Sequence, residues 1–380
     1  MTKQSPHITP FRPTRILVVM PSWVGDAVMA TPTLRLLRES FPGALIGALV
    51  RPGIDGLLAG SAFIDEFHVE HTGGVMGPKR SAAKVRDRRY EAAVLLTNSF
   101  STALTTRLAG IPRRVGYDRD GRGFLLTDRL SAARRRDTPP FDRSTTDPSA
   151  WAPVPACRYY WGLGARVLEL AGMSVPGTET MGGMELTCSE QDDCAALEVL
   201  ARAGVEPASR FAVLNPGGNN PAKRWAPNRF AALADHLWRV HGVRSLVSGS
   251  PDESEVIDGV VGGCAEGTNA AGLVSAGVTL SSLKGIVRRS CLMVTNDTGP
   301  RHIAAAFGVP VVSLFGPTDP RWTTIPAREA VITAGPTLPE EEVADDHPER
   351  CRIDGIESAR VTAAADGMLG GGERAGCPAR

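Results

Sequence analysis

Short apolar runs recur along this chain, and between them apolar positions fall at helical rather than alternating spacing. From Arg15, "RILVVM" reads as a buried strand and "AVMATPTLRLLRESF" as the helix that follows it. The alternation continues with "ALIGALV" (strand), "IDGLLAG" (helix), "IDEFHV" (strand), a helix around "SAAKVRDRRY", "EAAVLL" (strand), "STALTTRLAG" (helix) and "RRVGY" (strand). A second series begins at "FAVLNPGG", a strand and loop. The helix "APNRFAALADHLWRVHG", the strand "SLVSGS" and the helix "ESEVIDGVVGGCA" come next. "AAGLV" and "LSSLKGIVRRS" precede the strand "CLMV", and "VVSLFGP" is expected to close the sheet. Strands alternating with helices predict parallel sheets covered on both faces, an α/β fold.

Two interruptions divide the series. Residues 134–156, "RRRDTPPFDRSTTDPSAWAPVPA", are rich in Pro, Ser, Thr and Arg and read as a long loop. After the helix "CRYYWGLGARVLELAG", a Gly- and Pro-containing joint spans 172–187. The expected organisation is a disordered lead-in at 1–14, one lobe at 15–175, a second at 188–335, and a tail at 336–380 with a last helix around 357–369. Two such lobes enclose a cleft at the C-terminal ends of both sets of strands, where open α/β sheets bind ligands.

Composition narrows the function. The 380 residues suit two domains, and 42% apolar with 22% charged residues is ordinary for a globular protein. A net charge of +1 gives no electrostatic footprint for nucleic acid. Only five of the 42 basic residues are lysines (Lys3, Lys79, Lys84, Lys223, Lys284), so a lone arginine says little here. Seven cysteines, at 157, 188, 194, 264, 291, 351 and 377, include no C-x-x-C pair. They argue for reduced thiols in the cytoplasm rather than for disulfides or a zinc site. The N-terminus has no apolar h-region, and no run approaches the roughly 20 apolar residues that span a bilayer.

The candidate chemistry lies where strands give way to helices. In "MVTNDTGPRHIAAAFGVPVV" a strand passes through turn and cap residues into a small-residue helix. Asp297, Thr298 and Gly299 therefore stand at a helix N-terminus, where free N–H groups and the dipole favour an anion. His302 follows five residues after Asp297, within hydrogen-bonding reach of a phosphate or ribose, although a lone histidine also serves as a satisfied core group. In the first lobe, Pro21, Ser22, Trp23 and Gly25 make a turn and Asp26 opens a helix. That aspartate is either a first-turn acid gaining about 0.3–1 kcal/mol from the dipole, or a general base facing the cleft.

Several activities lose support. The first βα turn lacks G-x-G-x-x-G, "GLGARV" at Gly162 sits inside a helical pattern, and there is neither a P-loop nor a G-x-S-x-G elbow. "DRD" at 118–120 has an Arg-rich setting that suits a solvated turn better than a metal pair. In "LNPGGNNPAKRW", by contrast, Gly217, Gly218, Asn219 and Asn220 can form a nest of amides, with Lys223 and Arg224 adding charge before Trp225. That combination reads as a phosphate-binding loop. Glu253, in "SGSPDESE", can accept two ribose hydroxyls or serve as a helix-start acid. Three turns of one sheet thus offer phosphate donors, an acid and a second anion-binding helix end. Together they favour a diphosphate at Asp297, Thr298 and Gly299.

The segments "SWVGDAVMATPTLRLLR", "NPGGNNPAKRWAPNRFAALADHL" and "TNDTGPRHIAAAFGVPVVSLFGPTDP" resemble the ADP-heptose:lipopolysaccharide heptosyltransferases of glycosyltransferase family 9. "PSWVGD" and "AKRW" are most similar to the heptosyltransferase II branch. The likeness runs from about Arg15 to Trp322, and "HPERCRIDGIESARV" resembles the family's close. It implies a GT-B fold of two Rossmann-like, doubly wound lobes facing a central cleft. It implies an inverting transfer of heptose from ADP-L-glycero-β-D-manno-heptose to a lipopolysaccharide inner-core sugar or similar glycan. Asp26 would deprotonate the acceptor, with Ser22, Trp23 and Gly25 on the acceptor side. Lys223 and the amides of Thr298 and Gly299 would stabilise the departing ADP. Gly218, Asn219, Arg224, Glu253, Asp297 and His302 would complete the donor site. No metal or cofactor is obligatory on this reading, although a divalent cation would stimulate.

Its implied partners are an ADP-sugar and a glycolipid or oligosaccharide acceptor, not nucleic acid. Its implied location is the cytoplasm, with peripheral contact at the inner membrane. Two departures stand out: Pro300-Arg301 puts a cation beside the expected donor site, and loop 134–156 is long and basic. That loop suits an acidic acceptor, an anionic membrane surface or a disordered insertion. The alternative function is a non-catalytic or differently specific sugar-nucleotide-binding protein, and a sugar-nucleotide epimerase is a third. Asp26→Asn separates the first two, because it stops turnover only in an enzyme.

Overall fold

The computed structural model describes residues 11–70, 74–134, 151–218, 220–316, 318–334 and 353–370. In the first half, strands β1 (Arg15–Val19), β2 (Leu45–Val50) and β3 (Glu66–Val69) lie to one side. β4 (Ala92–Leu95), β5 (Arg113–Tyr117) and β6 (Asp128–Leu130) lie to the other, giving a parallel sheet in the order β3-β2-β1-β4-β5-β6. Ile16 stands opposite both Ile46 and Ala92. Ile16, Leu17 and Val18 are fully buried, which is why this strand is apolar throughout rather than alternating. The helices of this half are α1 (Val24–Met29), α2 (Thr31–Ser40), α3 (Ile54–Leu58), α4 (Gly77–Arg86), α5 (Phe100–Leu108) and α6 (Ala156–Leu170).

The second half repeats the plan. α7 (Glu190–Arg202) leads into β7 (Phe211–Asn215), α8 (Pro227–His241), β8 (Arg244–Val247), α9 (Ser254–Gly262) and β9 (Ala270–Gly272). Then come α10 (Leu280–Arg289), β10 (Leu292–Asn296), α11 (Gly299–Ala306), β11 (Val311–Phe315), β12 (Glu329–Thr333) and α12 (Ser358–Gly370). The order is β12-β11-β10-β7-β8-β9, again parallel. Each sheet therefore reverses direction beside its first strand, at β1/β4 and at β7/β10, and each reversal opens a crevice at the strand ends.

The structure departs from the sequence expectation at several elements. "AVMATPTLRLLRESF" is two helices, because Pro32 lacks an N–H and its ring crowds the preceding turn, so α2 restarts at Thr31. "VVSLFGP" does not close its sheet; β12 lies outside it. α7, started by a Ser189–Asp192 capping box, follows the joint at 172–187. Ile353, Ile356, Val361 and Ala365 of the tail pack into the α8 side of the second sheet.

The two lobes share a core. Apolar side chains of α1, α2, α3 and α6 form one continuous buried cluster with those of α7, α10 and α11. The joint is strapped to α2, where Arg35 reaches Glu185 at 2.8 Å and the Met181 carbonyl at 2.6 Å. Lys284, wholly buried, pairs with Asp192 at 2.9 Å and donates to the Thr187 carbonyl. No described helix is long and apolar enough to cross a membrane.

Candidate active site

The helices that follow the two central strands meet end to end. A Cβ on Gly299 would lie 2.9 Å from the Val24 Cβ, and one on Gly25 would lie 2.5 Å from the His302 Cδ2. Glycine at 25 and 299 is thus what lets the first turns of α1 and α11 touch. Asp26 sits in the first turn of α1 and accepts a 3.0 Å hydrogen bond from the Tyr160 hydroxyl of α6. Burial raises its pKa above the ordinary carboxylate range; the Tyr160 bond opposes that rise, and the negative charge of Asp297 in the other lobe adds to it. A raised carboxyl pKa moves a base toward the operating range of proton transfer.

Lys223 faces the same place from the second lobe. It leaves a short turn capped by Asn220, whose side chain accepts from the Ala222 amide. Its Nζ lies 3.4 Å from Asp297 Oδ2, which also accepts from Thr318 Oγ1 at 2.8 Å. Arg301 approaches the other Asp297 oxygen at 3.8 Å. Asp297 therefore acts as the anchor for Lys223, since a carboxylate repels phosphate. Lys223 and the first amides of α11, at Thr298 and Gly299, are groups of the kind that attract an anion, the amides having no intrahelical acceptor.

The glycine loop is held from three sides. Glu253 accepts from the Gly218 amide at 2.6 Å and from the Ser250 amide at 2.8 Å, so its carboxylate braces the loop against the β8–α9 turn. Arg224 Nε donates to the Gly218 carbonyl at 2.7 Å. The buried Asn296 side chain donates to the carbonyls of Pro216 (2.7 Å) and Gly217 (3.0 Å) and accepts from the Trp225 amide. Asn219 lies outside the described residues.

His302 is buried against Gly25, and its Nδ1 has no hydrogen-bond partner among the described residues. Burial pushes its pKa down to about 3, Arg301 adding to the drop, so the imidazole is neutral. Ser22 and Trp23, just before α1, are exposed, Trp23 at 67%. The cation expected beside the donor site is there, 3.8 Å from Asp297, but it is buried and paired rather than open to a ligand. Arg301 is fully buried, with Nε 2.6 Å from Glu329 Oε1 and Nη2 3.0 Å from Oε2, and its guanidinium over the Phe315 ring. Such a planar fork matches a carboxylate, and the Ser313 hydroxyl (3.1 Å) and the Thr323 carbonyl (2.8 Å) accept its remaining bonds.

Sequence reasoning missed Tyr160, Asn296, Thr318 and Asn215, whose amide donates to Thr298 Oγ1 at 2.9 Å. In the first lobe it also missed Arg122, which is buried and donates to the carbonyls of Tyr117 and Thr97 and to Asn98 Oδ1. Burial lowers its pKa to about 10. Asn98 also accepts from the Tyr159 hydroxyl at 3.1 Å. Of loop 134–156, residues 135–150 lie outside the described residues; at its ends the guanidinium of Arg134 stacks 3.3 Å from the Trp151 ring centre.

Comparison with known proteins bears on the family and the fold. Residues 166–350 match the model of glycosyltransferase family 9 (heptosyltransferase). The chain is 29% identical over 315 residues to lipopolysaccharide heptosyltransferase 2 of Escherichia coli K12, covering 81% of this chain and 84% of that one. It is 27% identical to lipooligosaccharide heptosyltransferase 2 of Haemophilus influenzae over 83% of this chain and 87% of its relative. Among solved structures, the glycosyl transferase family 9 protein of Veillonella parvula superposes with a TM-score of 0.75 at 22% identity, covering 94% of this chain and 98% of that one. The E. coli ADP-heptose heptosyltransferase II gives 0.72 at 24% identity, covering 93% and 98%. Both share the two-lobed GT-B fold with this chain.

Proposed function

We propose, for a chain that carries a glycosyltransferase family 9 domain and is therefore a glycosyltransferase, that it moves a heptose from ADP-L-glycero-β-D-manno-heptose to a sugar hydroxyl of a lipopolysaccharide inner core or similar glycan. One observation carries the reading. Asp26 of the first lobe and Lys223 with the α11 amides of the second converge where α1 and α11 touch. A base and a leaving-group clamp thus face each other from opposite lobes.

In the proposed reaction Asp26 takes the proton of the acceptor hydroxyl. The oxygen attacks the anomeric carbon from the face opposite ADP, and the new glycosidic bond forms as the bond to the diphosphate oxygen breaks. ADP leaves with that electron pair, and the configuration inverts. Lys223, held by Asp297, and the Thr298 and Gly299 amides stabilise the charge that develops on the diphosphate. These groups supply the positive field, so the reading makes no metal obligatory, and a divalent cation would act as a stimulant. Gly218, Arg224 and Glu253 shape the donor loop, and Ser22 and Trp23 meet the acceptor. An acceptor of this kind is a glycolipid, which implies peripheral contact with the inner face of the cytoplasmic membrane.

Calorimetric titration with ADP-heptose, ADP-glucose and UDP-glucose tests the donor. Selective binding of ADP-heptose, weakened in Lys223→Ala, supports it; preference for UDP-glucose, or no binding, overturns it.

A further inference from the structure

Away from the cleft, His236 and His241 of α8 both aim Nε2 at one oxygen of Asp366 on α12, at 2.8 and 2.7 Å. The three ligand atoms lie within 4.8 Å of one another, and among the described residues this is the only His/Cys/Asp/Glu group with that geometry. We propose that His236, His241 and Asp366 bind one divalent transition-metal ion of the zinc class, which clips α12 to α8.

The donor set suits such an ion: two imidazole nitrogens and a carboxylate oxygen, with a fourth position left for water. Metal–ligand lengths of about 2.0–2.2 Å require the nitrogens and oxygen to spread only slightly from where they stand. The three side chains are partly exposed, with relative areas of 22%, 22% and 40%, so an ion enters from solvent without opening the core. The backbone favours a cation independently. His241 is the last residue of α8, and Asp366 lies near the end of α12. Both helices therefore bring the negative ends of their dipoles to the cluster.

The ion would act on structure, not on the chemistry. Fourteen residues at about 1.5 Å each separate His241 from Pro227, so the cluster lies roughly 20 Å from the start of α8, beside the donor loop. What the clip holds is nevertheless relevant to that loop. The Ile356 carbonyl, just before α12, accepts from Trp225 Nε1 at 3.0 Å and from Arg229 at 2.6 Å. The fully buried side chains of α12 include the small Val361 and Ala365, which offer limited apolar area for docking. A metal across the far end of α8 and α12 would secure the pair that seats Trp225.

The test uses the full chain without a polyhistidine tag, stripped with chelator and titrated with Zn²⁺. One equivalent is expected to bind, raising the thermal midpoint by about 3 °C at a hundredfold excess over Kd. His236→Gln with His241→Gln is expected to abolish both effects. X-ray absorption at the zinc edge on the wild-type protein, which needs no variant to fold, is expected to show a shell of nitrogen and oxygen. No zinc-dependent shift, a shift that persists in the double variant, or sulfur in the shell would each overturn the proposal, the last assigning the ion to cysteines.

Discussion

The Tyr160 hydroxyl donates to Asp26 Oδ1 at 3.0 Å, linking the last helix of the first lobe to the proposed base. The bond stabilises the carboxylate and so opposes the upward push that burial gives Asp26. Removing it in Tyr160→Phe moves the Asp26 pKa further up. The acid limb of the kcat/KM profile then shifts to higher pH, with a loss of about tenfold on that limb, the scale of a hydrogen bond to a charged group. The loss shrinks as pH rises past the limb. A pH profile of the variant beside wild type checks both features.

His302 links acid stability to the contact between lobes. Its folded pKa is about 3, below the ordinary value of 6.5, so between those values the unfolded chain binds a proton that the fold excludes. The contribution is complete above about pH 6.5 and falls by roughly 1.4 kcal/mol per unit as pH drops through the window. Below about pH 3 it falls no further. His302→Asn removes one proton's worth of that slope. Urea midpoints measured from pH 4 to 7 for both proteins would show it.

Gly25→Ala places a methyl 2.5 Å from the His302 ring. Overpacking of this kind costs about 1–3 kcal/mol, and here it also pries α1 from α11. Adding His302→Ala makes room, so the double variant is expected to be more stable than the two single losses sum to. Chemical denaturation of the four proteins in a double-mutant cycle reads that coupling.

Glu329→Gln leaves Arg301 buried without its carboxylate partner. Breaking a buried pair from one side costs about 3–5 kcal/mol. A matching loss in unfolding free energy is expected, with donor affinity reduced through Asp297, which Arg301 approaches at 3.8 Å.

How much of this was legible in the sequence depends on range. Strand and turn at "CLMVTNDTGP" are local, so β10, the Thr298 cap and α11 follow from apolar run, cap residue and Pro300. β6 and β9 escaped because three residues carry too short an apolar pattern to separate from a loop, and β12 because only one of its five residues is buried. Arg301 does stand beside Asp297, as its neighbours in sequence suggest, but it is buried rather than open to a donor. Its partner is Glu329, 28 residues on, and nothing local marks that pairing. Tyr160 was equally hidden: an aromatic residue on an apolar helix reads as core, and only the fold brings its hydroxyl to Asp26, 134 residues away.

The most direct test of the account is the rate of acceptor-dependent ADP release from ADP-heptose by wild type and Asp26→Asn, with donor affinity measured in parallel. The account predicts that the variant binds donor as wild type does and loses about 10²–10⁴-fold in rate, the span of general-base catalysis. A variant that turns over at the wild-type rate would contradict it.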